Sequence, residues 1–142
     1  MAAVNPYLTF DSSCEAAFTF YKSVFGGEFL TIMRFKDAPS DQALPENEGK
    51  KIMHVALPIG KGSILMGSDR LAMHGPATKG DNFSIAIGTE SEEETKRLFN
   101  GLSAGGKVTM PLDKTFWGAY FGMFTDQFGI NWMVNYDYNQ QK

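Results

Sequence analysis

The sequence predicts an α+β fold of two βαβββ modules that together form a curved mixed sheet with a concave pocket, and three observations predict it. Two capping-box patterns, Ser12-Ser13-Cys14-Glu15 and Ser91-Glu92-Glu93-Glu94, mark two helix starts, because a Ser there accepts a backbone N–H bond and the Glu three residues on reaches back. Two glycine pairs, Gly26-Gly27 and Gly105-Gly106, mark two helix ends, since a residue without Cβ turns left-handed at little cost. Positions 12 and 91 are as far apart as positions 26 and 105, so start and stop recur together.

Within the first helix Ala17, Phe20, Tyr21 and Val24 fall at helical spacing, and within the second Thr95, Leu98, Phe99 and Leu102 do so, giving each helix one face to bury. Ahead of the helices lie Val4 to Phe10 and Asn82 to Ile87, both strand-like in alternation or β-branching. After the first helix come candidate strands at Glu28–Phe35, Lys51–Ile59 and Ser63–Ser68, the last two joined by the turn Gly60-Lys61-Gly62. After the second come Lys107–Leu112, Ala119–Thr125 and Asn131–Asn135, with Asp126-Gln127-Phe128-Gly129 between the last two. Lys36 to Lys50 and Arg70 to Asp81 carry prolines and read as loops. One domain over 1–142 follows, with halves at about 4–69 and 82–137 and a linker at 70–81. Each half-sheet alone is too small to cover its apolar face, which favours one larger sheet whose concavity holds a ligand.

Composition narrows the function. Hydrophobic residues make up 43% and charged residues 20% of 142, an ordinary balance for a globular chain. The net charge of -3 has its two signs mixed along the sequence, which disfavours nucleic acid and anionic membrane as partners. No apolar run approaches the roughly 20 residues that span a bilayer, and no signal-peptide pattern opens the chain, so the cytoplasm is expected. The single Cys14 excludes an internal disulfide framework. Twelve Phe call for a large dry core or pocket.

The stretch Ala16 to Gly27, which contains Phe20-Tyr21-Lys22-Ser23-Val24-Phe25-Gly26-Gly27, resembles the vicinal-oxygen-chelate superfamily of glyoxalases, bleomycin-resistance proteins and dioxygenases. Phe116-Trp117-Gly118 and Phe128 to Asn135 look like its PhnB-like branch, and the resemblance covers nearly the whole chain. It implies the glyoxalase/bleomycin-resistance fold, a homodimer, and a divalent metal held by four side chains, one near the start of each half's first strand and one on each half's last strand. By spacing from the shared motif, and by matching Gly62-x-x-x-Met66 to Gly129-x-x-x-Met133, those positions fall at Asn5, Met66, Ser84 and Met133. Two thioethers, an amide and a hydroxyl suit neither zinc nor the harder ions. No cofactor is therefore expected, and a divalent metal is disfavoured.

The branch is sometimes labelled a methyltransferase, but no glycine-rich loop between a strand and a helix is visible to hold S-adenosylmethionine. Phosphonate is attached to it by name, yet no Arg/Lys cluster or glycine nest for a dianion stands out in the sequence. His54 is the one catalytic candidate, on a strand whose alternation can point it into the concavity; a hydrogen-bonded strand histidine is the simpler reading. His74 falls in the linker. Asp69 and Arg70 read as a pocket-mouth pair or, more simply, as a turn aspartate and a solvated arginine. Cys14 opens a helix, where the macrodipole favours a thiolate, but no His lies nearby in sequence to pair with it.

If Trp132 and Val134 pack on a helix, then Asn131, Met133 and Asn135 line the concavity with Asn5, Tyr7, Thr9, Met66 and Ser84. Phe116 and Trp117 either wall that pocket or pack in a dimer or core. Two functions follow. The first is metal-independent binding of a small, partly aromatic or amphipathic molecule. The second is a metal-dependent or His-dependent enzyme of the superfamily: a lyase, isomerase, dioxygenase or thiol transferase.

Overall fold

In each half one long helix lies on one face of a four-stranded mixed sheet, as the capping and glycine signals predict. The computed structural model describes residues 2–38 and 44–139 and separates into two units, Met1–Thr78 and Lys79–Lys142. The first holds β1 (Tyr7–Phe10), α1 (Cys14–Phe25), β2 (Thr31–Arg34), β3 (Ile52–Ile59) and β4 (Ser63–Asp69), with sheet order β1-β4-β3-β2. The second holds β5 (Ile85–Gly88), α3 (Glu92–Ser103), β6 (Lys107–Lys114), β7 (Ala119–Thr125) and β8 (Asn131–Asp137), in the equivalent order β5-β8-β7-β6. In each sheet the first strand pairs parallel with the last, and the other pairs are antiparallel.

The loop expected from Lys36 to Lys50 opens within a 3-10 turn at Phe35–Asp37 and contains the single-turn helix α2 (Glu46–Gly49); its residues 39–43 lie outside the described residues. The linker contains a second 3-10 turn at Ala72–His74. Among the described residues no helix is long and apolar enough to cross a membrane.

The buried stripe of α3 is Thr95, Leu98, Phe99 and Leu102, as the spacing predicts. That of α1 is shifted: Cys14, Ala17, Phe18 and Tyr21 are buried, whereas Phe20 and Val24 are half-buried. The reason lies in the sheet. Gly67 on β4 leaves a vacancy that the Phe18 ring fills, and a Cβ there would stand 2.7 Å from that ring and 2.9 Å from the Leu8 carbonyl oxygen. Gly122 on β7 does the same for Phe99, with a Cβ falling 2.5 Å from its ring. Burying rings of this size contributes about 1.5–3 kcal/mol each, so close backbone approach and aromatic burial are coupled in both halves.

The two helices are capped differently. Ser91 accepts the Glu94 N–H at 3.1 Å, although the Glu94 carboxylate reaches Glu90 N rather than the cap residue itself. At α1 the cap residue is Ser13, and neither it nor Ser12 makes the expected side-chain bond. The acceptor is Asp69 at the end of β4, whose Oδ1 takes the Cys14 N–H at 3.0 Å while Oδ2 takes the Ile52 N–H at 3.0 Å. Glu15 turns away to pair with Arg34 through both carboxylate oxygens, at 3.1 and 2.6 Å.

Candidate functional site

Strand alternation separates each sheet into a helix-covered face and a helix-free face. In the second unit Trp132, Val134 and Phe124 are buried beneath α3, so their neighbours in the chain face the other way. Register then arranges the helix-free face in three rows: Lys107, Thr125 and Asn131; Met110, Met123 and Met133, with Ala86 beyond; and Asp113, Phe121 and Asn135, with Gly88 beyond. Thr125 Oγ1 donates to Asn131 Oδ1 at 2.7 Å, which fixes that amide. Trp117 packs edge-on to Phe121 with ring centroids 6.3 Å apart, and Phe116 packs edge-on to Trp117 at 5.0 Å. Both aromatics sit in the turn between β6 and β7, closed by the Thr115 N–H bond to Ala119 O at 2.8 Å. Trp117 thus extends the face through Phe121, whereas Phe116 is 98% exposed. Ser84 is half-buried and directly precedes β5.

In the first unit Leu8, Phe10, Val55, Leu57 and Leu65 are buried, and the alternate positions Tyr7, Thr9, His54, Met66 and Ser68 share the helix-free face, with Tyr7 opposite Met66 and Thr9 opposite Ser68. His54 has a partner that sequence spacing did not reveal. The Tyr7 hydroxyl lies 3.1 Å from His54 Nδ1, and the two rings stack 5.7 Å apart at 23°. Asn5 precedes β1 rather than lying on it, and its Oδ1 accepts the Ile64 N–H at 3.1 Å, tying the incoming chain to β4.

The residues at the four positions that the resemblance implies for a divalent ion do not fit one. Met66 and Met133 offer thioethers, Ser84 a neutral hydroxyl, and the Asn5 amide oxygen is already bonded to Ile64. Among the described residues no group of three or more His, Cys, Asp or Glu is placed to hold a metal. Hard and borderline divalent ions need such oxygen or imidazole donors.

Asp69 and Arg70 both have structural work, and Asp69 also lines a cleft in the first unit. Asp69 is buried on its two N–H donors, and Arg70 donates from Nε to Gly75 O at 3.0 Å and from Nη2 to His74 O at 2.5 Å, bracing the linker. Cys14 is fully buried, and its thiol pKa is pushed far up by that burial, then by the Asp69 and Glu15 carboxylates. Desolvation outweighs the helix macrodipole here. Cys14 is therefore expected to resist alkylation by iodoacetamide in the native protein and to react fully in urea; rapid native labelling would contradict this.

One cluster that the sequence conceals lies in the first unit, around a cleft of about 600 Å³ lined by Arg34, Lys36, Lys50, Lys51, Glu15 and Asp69, among others. Arg34 ends β2, Lys36 lies in the 3-10 turn after it, Lys50 caps α2 and Lys51 directly precedes β3, so no single linear run announces the cluster. Most are neutralised: Arg34 pairs with Glu15, Lys50 with Glu46 at 3.2 Å, and Lys51 with Glu48 at 2.7 Å. The Arg34 guanidinium holds the Glu15 carboxyl below the usual carboxylate range.

Beyond His54's partner, sequence reading missed Met110, Phe121 and Met123 as members of the second sheet's face. The period-2 spacing of Phe121, Met123 and Thr125 was the available signal.

Comparison with known proteins agrees with the fold. The family profile of the Glyoxalase/Bleomycin resistance protein/Dioxygenase superfamily matches residues 3–134. Protein YjdN of Escherichia coli (strain K12) is 35% identical over 140 residues, covering 93% of each chain. The crystal structure of PA1353 from Pseudomonas aeruginosa is 41% identical with a TM-score of 0.84, over 96% of this chain and 98% of that one. A PhnB protein from Bacillus cereus is 26% identical with a TM-score of 0.75, over 95% and 99%. With two βαβββ units, a matching profile over most of its length and PhnB among its neighbours, the chain belongs to the glyoxalase/bleomycin resistance protein/dioxygenase superfamily.

Proposed function

We propose that the protein binds a small, partly aromatic molecule without a divalent metal, using the helix-free sheet faces. The observation that carries this reading is the composition of the second sheet's face. Met123, Met133 and Phe121, with Trp117 alongside, form a polarisable apolar surface, and Asn131 and Asn135 border it with amides. Thioethers and aromatic edges favour planar rings by roughly 0.3–1.5 kcal/mol per contact, and the amides supply directional donors and acceptors for a polar substituent. In the first unit Tyr7, Thr9 and Met66 offer a similar mixture on its own sheet.

The test is a thermal-shift screen of planar aromatic amphiphiles in EDTA, repeated with Asn131→Trp and Met133→Trp. A ligand at a hundred times its Kd stabilises the folded protein by about 2.7 kcal/mol. That shift is expected to vanish in both folded variants, and its survival would place binding elsewhere. The same reading expects a homodimer, and light scattering at micromolar concentration that shows a monomer would remove that part.

A second reading rests on the Tyr7–His54 bond. A tyrosine hydroxyl on Nδ1 orients the imidazole, whichever of the two donates, and leaves Nε2 for proton transfer. For a His-dependent superfamily enzyme, His54→Gln should abolish turnover while ligand binding persists; unchanged turnover would end this reading.

A further inference from the structure

We propose that Met110, Met123 and Met133 form a thioether site for a soft monovalent ion of the Cu(I) class. The inference goes beyond small-molecule binding and does not rest on it. The three residues stand on adjacent strands β6, β7 and β8, where Met110 pairs with Met123 and Met123 with Met133. Neighbouring strands lie about 4.8 Å apart, and each unbranched methionine stem has three rotatable bonds. Two outer thioethers can therefore lean toward the middle one and bring three sulfurs onto a single ion without moving the backbone.

The placement argues against ordinary core filling. Methionines used as gap-fillers belong on the helix-covered face, yet all three of these share the helix-free face. Met110 is 46% exposed. Of the eight methionines in the chain, three fall in this one row. Donor chemistry selects the ion: thioether sulfur prefers Cu(I) to zinc, magnesium or calcium. No imidazole or carboxylate lies in the row itself. The flanking rows place Asp113 on one side and Lys107 on the other, so the nearest formal charges offset. Trp117 and Phe121 stand together on the Asp113 side.

The experiment uses the full chain with ¹³C-labelled methionine methyls, titrated with Ag(I) as a redox-inert surrogate in chloride-free buffer, followed by anaerobic Cu(I) competition against bathocuproine disulfonate. Saturation at one equivalent is expected, shifting the methyls of Met110, Met123 and Met133 but not those of Met33, Met66 and Met73. Removing an outer-shell partner already costs metal sites about tenfold in affinity, so Met123→Leu should weaken Cu(I) by about tenfold or more. Met110→Leu, at an exposed position, should do the same and decides the matter if Met123→Leu fails to fold. Unmoved methyls would overturn the proposal, as would Cu(I) affinity unchanged in the folded variants, which would place the ion elsewhere, as on His54. Either failure leaves the small-molecule reading to its own test.

Discussion

Asp126→Ala is expected to cost the second unit about 4 kcal/mol, a large share of the roughly 5–15 kcal/mol by which a domain is stable. The carboxylate is 3% exposed and accepts three donors: Phe128 N at 2.8 Å, Ile130 N at 3.0 Å and the indole Nε1 of Trp132 at 2.9 Å. Alanine takes this acceptor from all three, one of them on a side chain that is fully buried. Each buried hydrogen bond lost in this way costs about 1–3 kcal/mol. Asp126→Asn keeps one acceptor oxygen and should lose about half as much. Urea unfolding followed by tryptophan fluorescence reads both, and a loss under about 1 kcal/mol for the alanine variant would show that water replaces the carboxylate. Asp126 also sets the turn from which Asn131, Met133 and Asn135, residues of the proposed binding face, emerge.

Asp69→Ala is the counterpart in the first unit. It removes the acceptor for the first N–H of α1 and for the start of β3 together, and about 3 kcal/mol is expected. The serines provide the control. Ser13→Ala should change little, because that side chain makes no capping bond, whereas Ser91→Ala should cost about 1 kcal/mol. If Ser13→Ala proved as costly as Asp69→Ala, the assignment of the α1 cap to Asp69 would be wrong.

This pair of helix starts shows how far the sequence can be read. Both helices, their glycine stops and the order of eight strands follow from local signals, because caps, left-handed turns and period-2 alternation are decided within a few residues. The acceptor for the Cys14 N–H lies on β4, far along the chain, so nothing near Ser12 reveals that the local capping box is bypassed. Phe18 rather than Phe20 is buried for a similar reason, since the vacancy at Gly67 belongs to another element. Chain distance likewise conceals the Tyr7–His54 bond and the row of Met110, Met123 and Met133, which exist only once register is set. Asn131, Met133 and Asn135 were legible because one strand's alternation places them together. That Asn5, Met66, Ser84 and Met133 carry no imidazole or carboxylate is a matter of residue identity and not of packing.

The central claim is the proposal that this protein binds its ligand without a divalent metal at Asn5, Met66, Ser84 and Met133, the positions that the family resemblance implies for one. It is tested most directly by elemental analysis of untagged, gel-filtered protein after incubation with nickel, zinc, manganese and iron(II) and removal of free ion. The account predicts retention of each ion far below one equivalent per chain. Near-stoichiometric retention of any one of them, lost on substituting His54, would contradict it and make a metal-dependent enzyme the better reading.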